Sequence, residues 1–371
     1  MTKCVHISTV HPTSDIRVVR KECQALADAG YEVVMILPNS TATAQRANPR
    51  LVAFYGARNR LDRFVRCAFV VFVRALREGD AIIHIQHCPE LLPWGQLLRF
   101  LGREVVYDMH ENVPKAILSK QWIPWILRKP VAALYHVAEA LLLRGMYVIF
   151  AEDSYVQYYP RVHSYTILHN FPILGVLVHA EAQEPAVPTL GYVGGVSPAR
   201  GIVTVFEALA TLEEQGCRVN MECIGPIPRE CRDEICEHRV VREGLVKLHG
   251  YKEPEQAWEL LAKCTMGVAL LKELPNYYES YPTKIFEYMA LRKPVIASRF
   301  PLYQGVIEKH QCGLCVDPDS IEETAWAIRW LAEHPLQAGA MGQRGWHAAQ
   351  EEYGWERESE QLLALYERIL S

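Results

Sequence analysis

The segment of this chain best suited to hold an anion is Glu279-Ser280-Tyr281-Pro282-Thr283-Lys284-Ile285-Phe286-Glu287-Tyr288-Met289-Ala290. Proline fits the first position of a helix, so Thr283 and Lys284 fall in the first turn. There, free N–H groups and the positive end of the helix dipole favour phosphate. Glu287 follows about one and a half turns later, among the apolar Ile285, Phe286 and Met289. A carboxylate in such company is costly unless used. Beside a nucleotide it can accept two hydrogen bonds from ribose hydroxyls. Glu279, just ahead of the helix, belongs to the same place. A second anion cradle is Gly194-Gly195-Val196-Ser197-Pro198-Ala199-Arg200-Gly201. Paired glycines let the backbone approach a ligand, and Arg200 adds a forked cation at the start of the next helix. The two segments together suit a diphosphate. A third group is Asp108-Met109-His110-Glu111-Asn112, in which His110 sits at a strand end where a catalytic role is expected. The fourth is the loop His11-Pro12-Thr13-Ser14-Asp15-Ile16-Arg17, with Asp15 and Arg17 as candidates for contacting an acceptor or a phosphate. Helix capping by Ser14 or Asp15 accounts for that loop equally well.

These loops have one thing in common: each follows a short β-rich run. In the first half the runs are Cys4–Val10, Glu32–Leu37, Leu51–Phe54, Ala81–Ile85, Glu104–Tyr107, Tyr147–Ala151 and Tyr165–Leu168. In the second they are Leu190–Val193, Val219–Ile224, Lys247–Leu248, Gly267–Leu271, Pro294–Ala297 and Gly313–Val316. Amphipathic stretches lie between them, among them Val18–Ala29, Val131–Leu143, Val203–Glu214 and Glu255–Ala262. Such alternation predicts an α/β fold with two doubly wound parallel sheets facing a central cleft. Ligands then bind beyond the carboxyl ends of the strands. The expected domains are 1–172 and 189–354, joined by a linker at 173–188. A terminal helix, 355–371, is expected to pack back on the first domain.

Composition narrows the function further. The 371 residues are 50% apolar and 22% charged, which suits two globular domains rather than disorder. The first β-run is not followed by GxGxxG, which removes most of the support for a hydride-transfer enzyme. Eleven cysteines with no export signal read as reduced thiols in the cytoplasm, and Cys312-Gly-Leu-Cys315 reads as a buried strand. No uninterrupted apolar run reaches membrane-span length. The net charge of −4 divides into +6 over residues 1–180 and −10 over the rest. Arg60, Arg63, Arg66, Arg74 and Arg77 fall within one third of a helical wheel, around an apolar body of Phe64, Val65, Ala68, Phe69, Phe72 and Leu76. An ordinary solvated face and a surface for anionic lipid headgroups account for that stripe equally well. With Trp122 and Trp125 nearby, the second reading places the protein peripherally on the inner face of the cytoplasmic membrane.

The spacing Glu279, seven residues, Glu287-Tyr-Met-Ala, then Lys293-Pro-Val-Ile resembles the signature of retaining glycosyltransferases of family 4, which have the GT-B fold. Gly194-Gly195 with Arg200-Gly201 resembles the family's glycine loop, although Gly195 stands where an arginine is usual and Arg200 where a lysine is. His110, the segment His169-Asn170-Phe171 and the stretch Val316-Asp317-Pro318-Asp319 are similar to further family segments. The resemblance implies that Glu287 binds ribose and Glu279 contacts the donor sugar. It implies that Arg200, Thr283 and Lys284 stabilise the leaving diphosphate, and that His110 lies near the donor sugar. It also implies a UDP- or GDP-linked donor and a glycan or polyprenyl-linked acceptor in cell-envelope or exopolysaccharide synthesis. No cofactor, metal or nucleic acid is expected. Asp319 is read as the cap of a helix starting near Ile321 rather than as a metal ligand. Two alternatives stay open, a nucleotide-sugar epimerase of the same fold, which needs further acid–base residues, and a non-catalytic nucleotide-sugar-binding protein.

Overall fold

The structure, a computed structural model, describes residues 2–38, 48–120, 122–177 and 185–371. It divides into two units, Met1–Asn170 with Trp355–Ser371, and Phe171–Gly354.

In the first unit seven strands form one parallel sheet: β1 (Lys3–Ile7), β2 (Glu32–Ile36), β3 (Arg50–Leu51), β4 (Ile82–Gln86), β5 (Val105–Met109), β6 (Tyr147–Phe150) and β7 (Tyr165–Ile167). Their order is β3-β2-β1-β4-β5-β6-β7, so the winding reverses between β1 and β4. The second unit holds β8 (Thr189–Val193), β9 (Asn220–Ile224), β10 (Val246–Gly250), β11 (Met266–Ala269), β12 (Val295–Ser298) and β13 (Gly313–Val316). Here the order is β10-β9-β8-β11-β12-β13, reversing between β8 and β11. Each run read as a strand overlaps one in the structure. The runs are mostly apolar because a parallel sheet covered on both faces excludes water from both. Val105, Val106, Tyr107, Asp108 and Met109 of β5, for example, are all buried.

Several local expectations need correction. β5 runs two residues further than expected, so Asp108 lies inside a strand and not in the loop after it. The helix Ile321–Glu333 is capped by Ser320, whose side chain accepts the Glu323 N–H at 3.1 Å, and Asp319 instead pairs with Lys272 at 2.6 Å. The arginine-bearing helix is not uniform: Arg63–Cys67 is π-helical between α-helical Arg60–Asp62 and Ala68–Arg77, which shifts the faces assigned by a constant angle per residue. Arg66 is turned onto Asp62 at 2.6 Å, Arg63 onto Glu90 at 3.1 Å and Arg74 onto the Ala53 carbonyl. Three of the five are thus engaged within the fold, Arg60 stacks over Trp122 and Arg77 is exposed. The expected apolar body is only half inside: Ala68 and Phe72 are buried, while Phe64, Val65, Phe69 and Leu76 are exposed.

The helix Trp355–Leu370 lies in the first unit, where the Tyr366 hydroxyl meets His84 Nδ1 at 2.8 Å and Glu358 accepts the His169 N–H at 2.7 Å. In the stretch read as a linker, Leu174–Leu177 forms a short helix with Leu174 and Leu177 buried. Glu181 and Glu184 lie outside the described residues. All eleven cysteines are free, with Cys315 in β13 and Cys312 buried just before it. Among the described residues no helix is long and apolar enough to cross a membrane.

Candidate active site

The second unit brings its candidates together at the switch between β8 and β11. The chain leaves β8 through Gly194, whose N–H is donated to the Ile224 carbonyl at 2.9 Å. It turns through a short 3-10 segment, Pro198–Arg200, and enters the helix Ile202–Glu214 at Gly201. Gly201 is in the left-handed region at φ 74°, and a Cβ there would lie 1.7 Å from the Leu270 carbonyl oxygen, so only glycine fits. Gly225 is equally constrained, at φ 146° with its Cβ position 1.9 Å from the Gly194 carbonyl oxygen. These two close approaches hold the glycine loop against β11 and β9.

Pro282 is the cap residue of the helix Thr283–Ala290, which makes Thr283 its first residue and buries Lys284 one position later. The Lys284 ammonium has no hydrogen-bond partner among the described residues. It sits 3.9 Å from the centre of the Tyr192 ring, whose hydroxyl is donated to the Gly195 carbonyl at 2.6 Å. Burial, and then the nearby Arg200 guanidinium, push the Lys284 amine down to about 7. A Cβ at Gly194 would lie 3.4 Å from both Arg200 Nη1 and Lys284 Nζ. Arg200 and Lys284 thus both approach the space over the glycine, and among the described residues the Lys284 ammonium has no hydrogen-bond partner. Glu287, half-buried on the same helix, accepts a hydrogen bond from the Trp258 indole at 3.1 Å. Glu279 lies in the turn before the helix, half-buried. Trp258 and Tyr192 were not singled out from the sequence, because nothing local marks an aromatic residue as the support of a charged one.

In the first unit the candidates meet at the switch between β1 and β4. Asp15 caps the helix that follows, accepting the Val18 N–H at 2.9 Å. Arg17, expected to reach a phosphate, is buried and committed elsewhere. Its guanidinium contacts Asp108 Oδ1 at 3.0 Å and Glu22 Oε1 at 3.0 Å, and donates to the Leu168 carbonyl at 3.1 Å. Burial pushes the Asp108 carboxyl upward, but Arg17 and then His110 outweigh it and hold Asp108 well below the usual range. Burial and the Asp108 charge push the Glu22 carboxyl well above its usual range, so Glu22 keeps its proton and the cluster is close to neutral. His110 Nε2 lies 2.8 Å from Asp108 Oδ2, which orients the ring. Beneath, His6 and His84 stack at 4.3 Å between ring centres, both kept neutral first by burial. Gln86 Nε2 bridges His6 Nδ1 and Glu22.

Two groups here have ligand atoms within 4.8 Å of one another, as a metal ion requires: His6, Glu22 and His84, and Glu22, Asp108 and His110. Both contain carboxylates already held by Arg17, which supplies the positive charge in that place. His6 and His84 were missed in the sequence and Asp108 was read as part of a loop, though polar residues inside the otherwise apolar runs Val105–Met109, Lys3–Ile7 and Ile82–Gln86 carry a signal. A buried polar group in a strand must be paired.

The paired parallel sheets, each with its ligand end at a strand-order reversal, define the GT-B glycosyltransferase fold. The chain superimposes over its whole length on sucrose-phosphate synthase from Thermosynechococcus elongatus, with a TM-score of 0.78 at 18% identity and 99% of that chain covered. It covers all of Anabaena HepE in complex with UDP at a TM-score of 0.72 and 16% identity. Residues 180–347, most of the second unit, match the model of the family described as Glycosyl transferases group 1. A curated relative, D-inositol 3-phosphate glycosyltransferase of Corynebacterium urealyticum, is 26% identical over 185 residues, 48% of this chain and 43% of the relative. The chain thus spans less than half the length of the curated relatives first matched.

Proposed function

We propose that this chain is a retaining glycosyltransferase that moves a sugar from a UDP- or GDP-linked donor to a glycan or lipid-linked acceptor in cell-envelope or exopolysaccharide synthesis. The observation that carries the reading is the buried, unpartnered Lys284 ammonium beside Arg200 under the open Gly194 backbone. A buried amine without a hydrogen-bond partner among the described residues is costly in the empty site, and a ligand that brings negative charge would relieve that cost. The UDP bound by HepE, a structure of the same fold, supports a nucleotide diphosphate as that ligand.

In this reading the acceptor hydroxyl attacks the anomeric carbon on the face from which the diphosphate departs. The carbon–oxygen bond to the diphosphate breaks, and the acceptor's proton passes to the departing phosphate oxygen. Lys284, Arg200 and the N–H groups at Thr283 stabilise the charge that develops. Glu287, held by Trp258, binds the ribose, and Glu279 contacts the donor sugar. His110, oriented by Asp108, is the first unit's candidate for contact with a sugar. The test is a panel of UDP- and GDP-sugars. Acceptor-dependent nucleotide release is expected, release of an epimer without acceptor would establish the epimerase alternative, and binding without turnover would establish a non-catalytic protein.

The acceptor's lipid anchor is supported by the first unit's surface. Leu61, Phe64, Val65, Phe69, Trp122, Trp125 and Ile126 are exposed, and Arg60 stacks over Trp122 at 4.9 Å. Aromatic groups beside arginines suit an anionic membrane interface. Co-sedimentation with anionic vesicles at low salt, lost at high salt, is the expected result. Retention in the supernatant would make the surface an ordinary one.

A further inference from the structure

In the second unit the loops after β8, β11 and β13 meet at a lysine to which glycosyl transfer itself gives no part. Lys272 stands just past β11. Its ammonium donates to Thr204 Oγ1 at 2.7 Å, to the Pro318 carbonyl at 2.6 Å and to Asp319 Oδ1 at 2.6 Å. An ammonium has three protons, so this one is fully used. The backbone N–H of Lys272 is used as well, donated to the Ala199 carbonyl at 3.1 Å. Lys272 therefore grips the segment that bears Arg200 on both sides. Ala199 precedes the arginine, and Thr204 lies in the first turn of the helix Ile202–Glu214 that follows it.

The acceptors are themselves held. Thr204 is buried. In the β13 loop Asp317 Oδ1 accepts the Asp319 N–H at 2.8 Å, and Glu323 Oε2 accepts the Asp317 N–H at 2.9 Å while paired with Arg299 at 2.6 Å. Gly201 closes the same turn against the Leu270 carbonyl, two residues before Lys272. The Arg200 guanidinium lies over Tyr277, 5.8 Å from the ring centre. Tyr277 belongs to the turn that starts at Lys272: the Lys272 carbonyl accepts the Leu274 N–H at 2.8 Å, and the Leu274 carbonyl accepts the Tyr277 N–H at 2.9 Å. Both the backbone and the ring that place Arg200 thus trace back to one lysine. Its ion pair adds little stability, because Asp319 is exposed to water. What the four bonds supply is geometry, and a charged group misplaced by about 1 Å loses most of its effect on a reacting phosphate.

We propose that Lys272 is a positioning residue for Arg200. By tying the first turn of the helix Ile202–Glu214 and the β13 loop to the end of β11, it fixes the guanidinium where the donor's diphosphate arrives. The inference rests on the glycosyltransferase reading and adds to it the residue that holds the arginine in place. The two lysines then have opposite tasks. Lys284, without a hydrogen-bond partner among the described residues, is turned to the ligand, and Lys272, with every proton taken, is turned to the protein.

The test is a double-mutant cycle read in UDP and GDP affinity by calorimetry. Lys272→Met should weaken binding of the nucleotide that the wild type prefers by about tenfold, but by less than about twofold once Arg200 is alanine, because the lysine acts through the arginine. An equal loss in both backgrounds would make Lys272 an ordinary support of the fold and overturn the proposal. Wild-type affinity in Lys272→Met would overturn it too. A spectrum separates position from folding. In protein labelled with 15N-arginine, the Arg200 Nε–H signal, assigned with Arg200→Ala, should move in Lys272→Met toward that of a solvated arginine, and an unmoved signal would count against the proposal decisively. If Lys272→Met does not fold, Thr204→Val takes away one acceptor and leaves the lysine. The same cycle should then show a loss of about threefold that vanishes in Arg200→Ala, and a loss that persists there would overturn the proposal. Failure of the underlying reading looks different. Arg200→Ala with wild-type affinity, or a wild type that binds neither nucleotide, would defeat the diphosphate site and the proposal with it.

Discussion

The two units share a parallel-sheet plan and gather polar residues at the same topological position, yet they treat charge in opposite ways. In the first, the Arg17 charge is balanced by the ionised Asp108, Glu22 keeps its proton, and the surrounding histidines His6, His11, His84 and His87 are held neutral. In the second, Lys284 is buried beside Arg200 with its ammonium unpartnered. A balanced cluster stabilises the fold and orients a ring. An unbalanced one is costly to the empty protein, and in the proposed reading a diphosphate relieves that cost. Electrostatic role therefore follows from what surrounds a cation and not from its distance beyond a strand.

The comparison breaks most visibly at Arg17. Arg17→Met leaves Asp108 buried without its counter-charge and should cost about 3–5 kcal/mol in denaturant unfolding. UDP affinity of whatever fraction folds should be unchanged. A mild effect on stability would mean that the first cluster is not self-balanced.

Lys284→Met is the converse. It should weaken binding of UDP or GDP, whichever the wild type prefers, by about 3 kcal/mol, roughly 100-fold, the upper end for a charge-assisted bond. The empty protein should unfold at equal or higher denaturant, because a strained buried amine is gone. The same site gives a pH signature. With the amine down at about 7 in the empty protein, Lys284 is mostly neutral at pH 8. An arriving diphosphate, fully ionised at that pH with its last pKa near 6, favours the charged amine. Binding should therefore take up close to one proton, measured by calorimetry in buffers of different ionisation enthalpy. Lys284→Met should abolish the uptake.

Glu287→Ala should cost about 2 kcal/mol in nucleotide affinity, read by titration calorimetry. Unchanged affinity would remove Glu287 from the site. The smallest effect belongs to the contact that ties the terminal helix to β7. Burial depresses His169, but Asp153 and Glu358 outweigh it and raise it to about 9. A raised histidine stabilises fully below its unfolded value near 6.5, and the contribution is lost as pH rises through 9. Glu358→Gln should therefore cost about 1.5 kcal/mol at pH 6 and progressively less toward pH 9.5, followed by thermal unfolding.

Much of this was legible in the linear order of residues. The β-runs and the helix segments between them specify a parallel α/β plan, because apolar periodicity and turn chemistry are local properties. Pro282-Thr283-Lys284 and Gly194-Gly195 with Arg200 stood out as the proposed anion site for the same reason: a helix start and a glycine turn carry their own donors wherever they are placed. Arg17 was misjudged because its type and its place after a strand were visible while its partners were not. Asp108 lies 91 residues away and Leu168 lies 151 away. The arginine stripe on Arg60–Arg77 was read too simply, because a π-helical turn changes which residues share a face.

By itself, the sequence determined which elements form and which residues carry charge, since propensity, periodicity and composition act over a few neighbouring positions. Only the tertiary structure decided which charges are paired. Burial and pairing depend on residues brought together from distant strands, and the energy of a charge depends on that surrounding more than on its own chemistry. Arg17 and Lys284 are both cations placed just beyond parallel strands. The first is neutralised by Asp108, whereas Lys284 is left with Tyr192 and Arg200 and, among the described residues, has no hydrogen-bond partner.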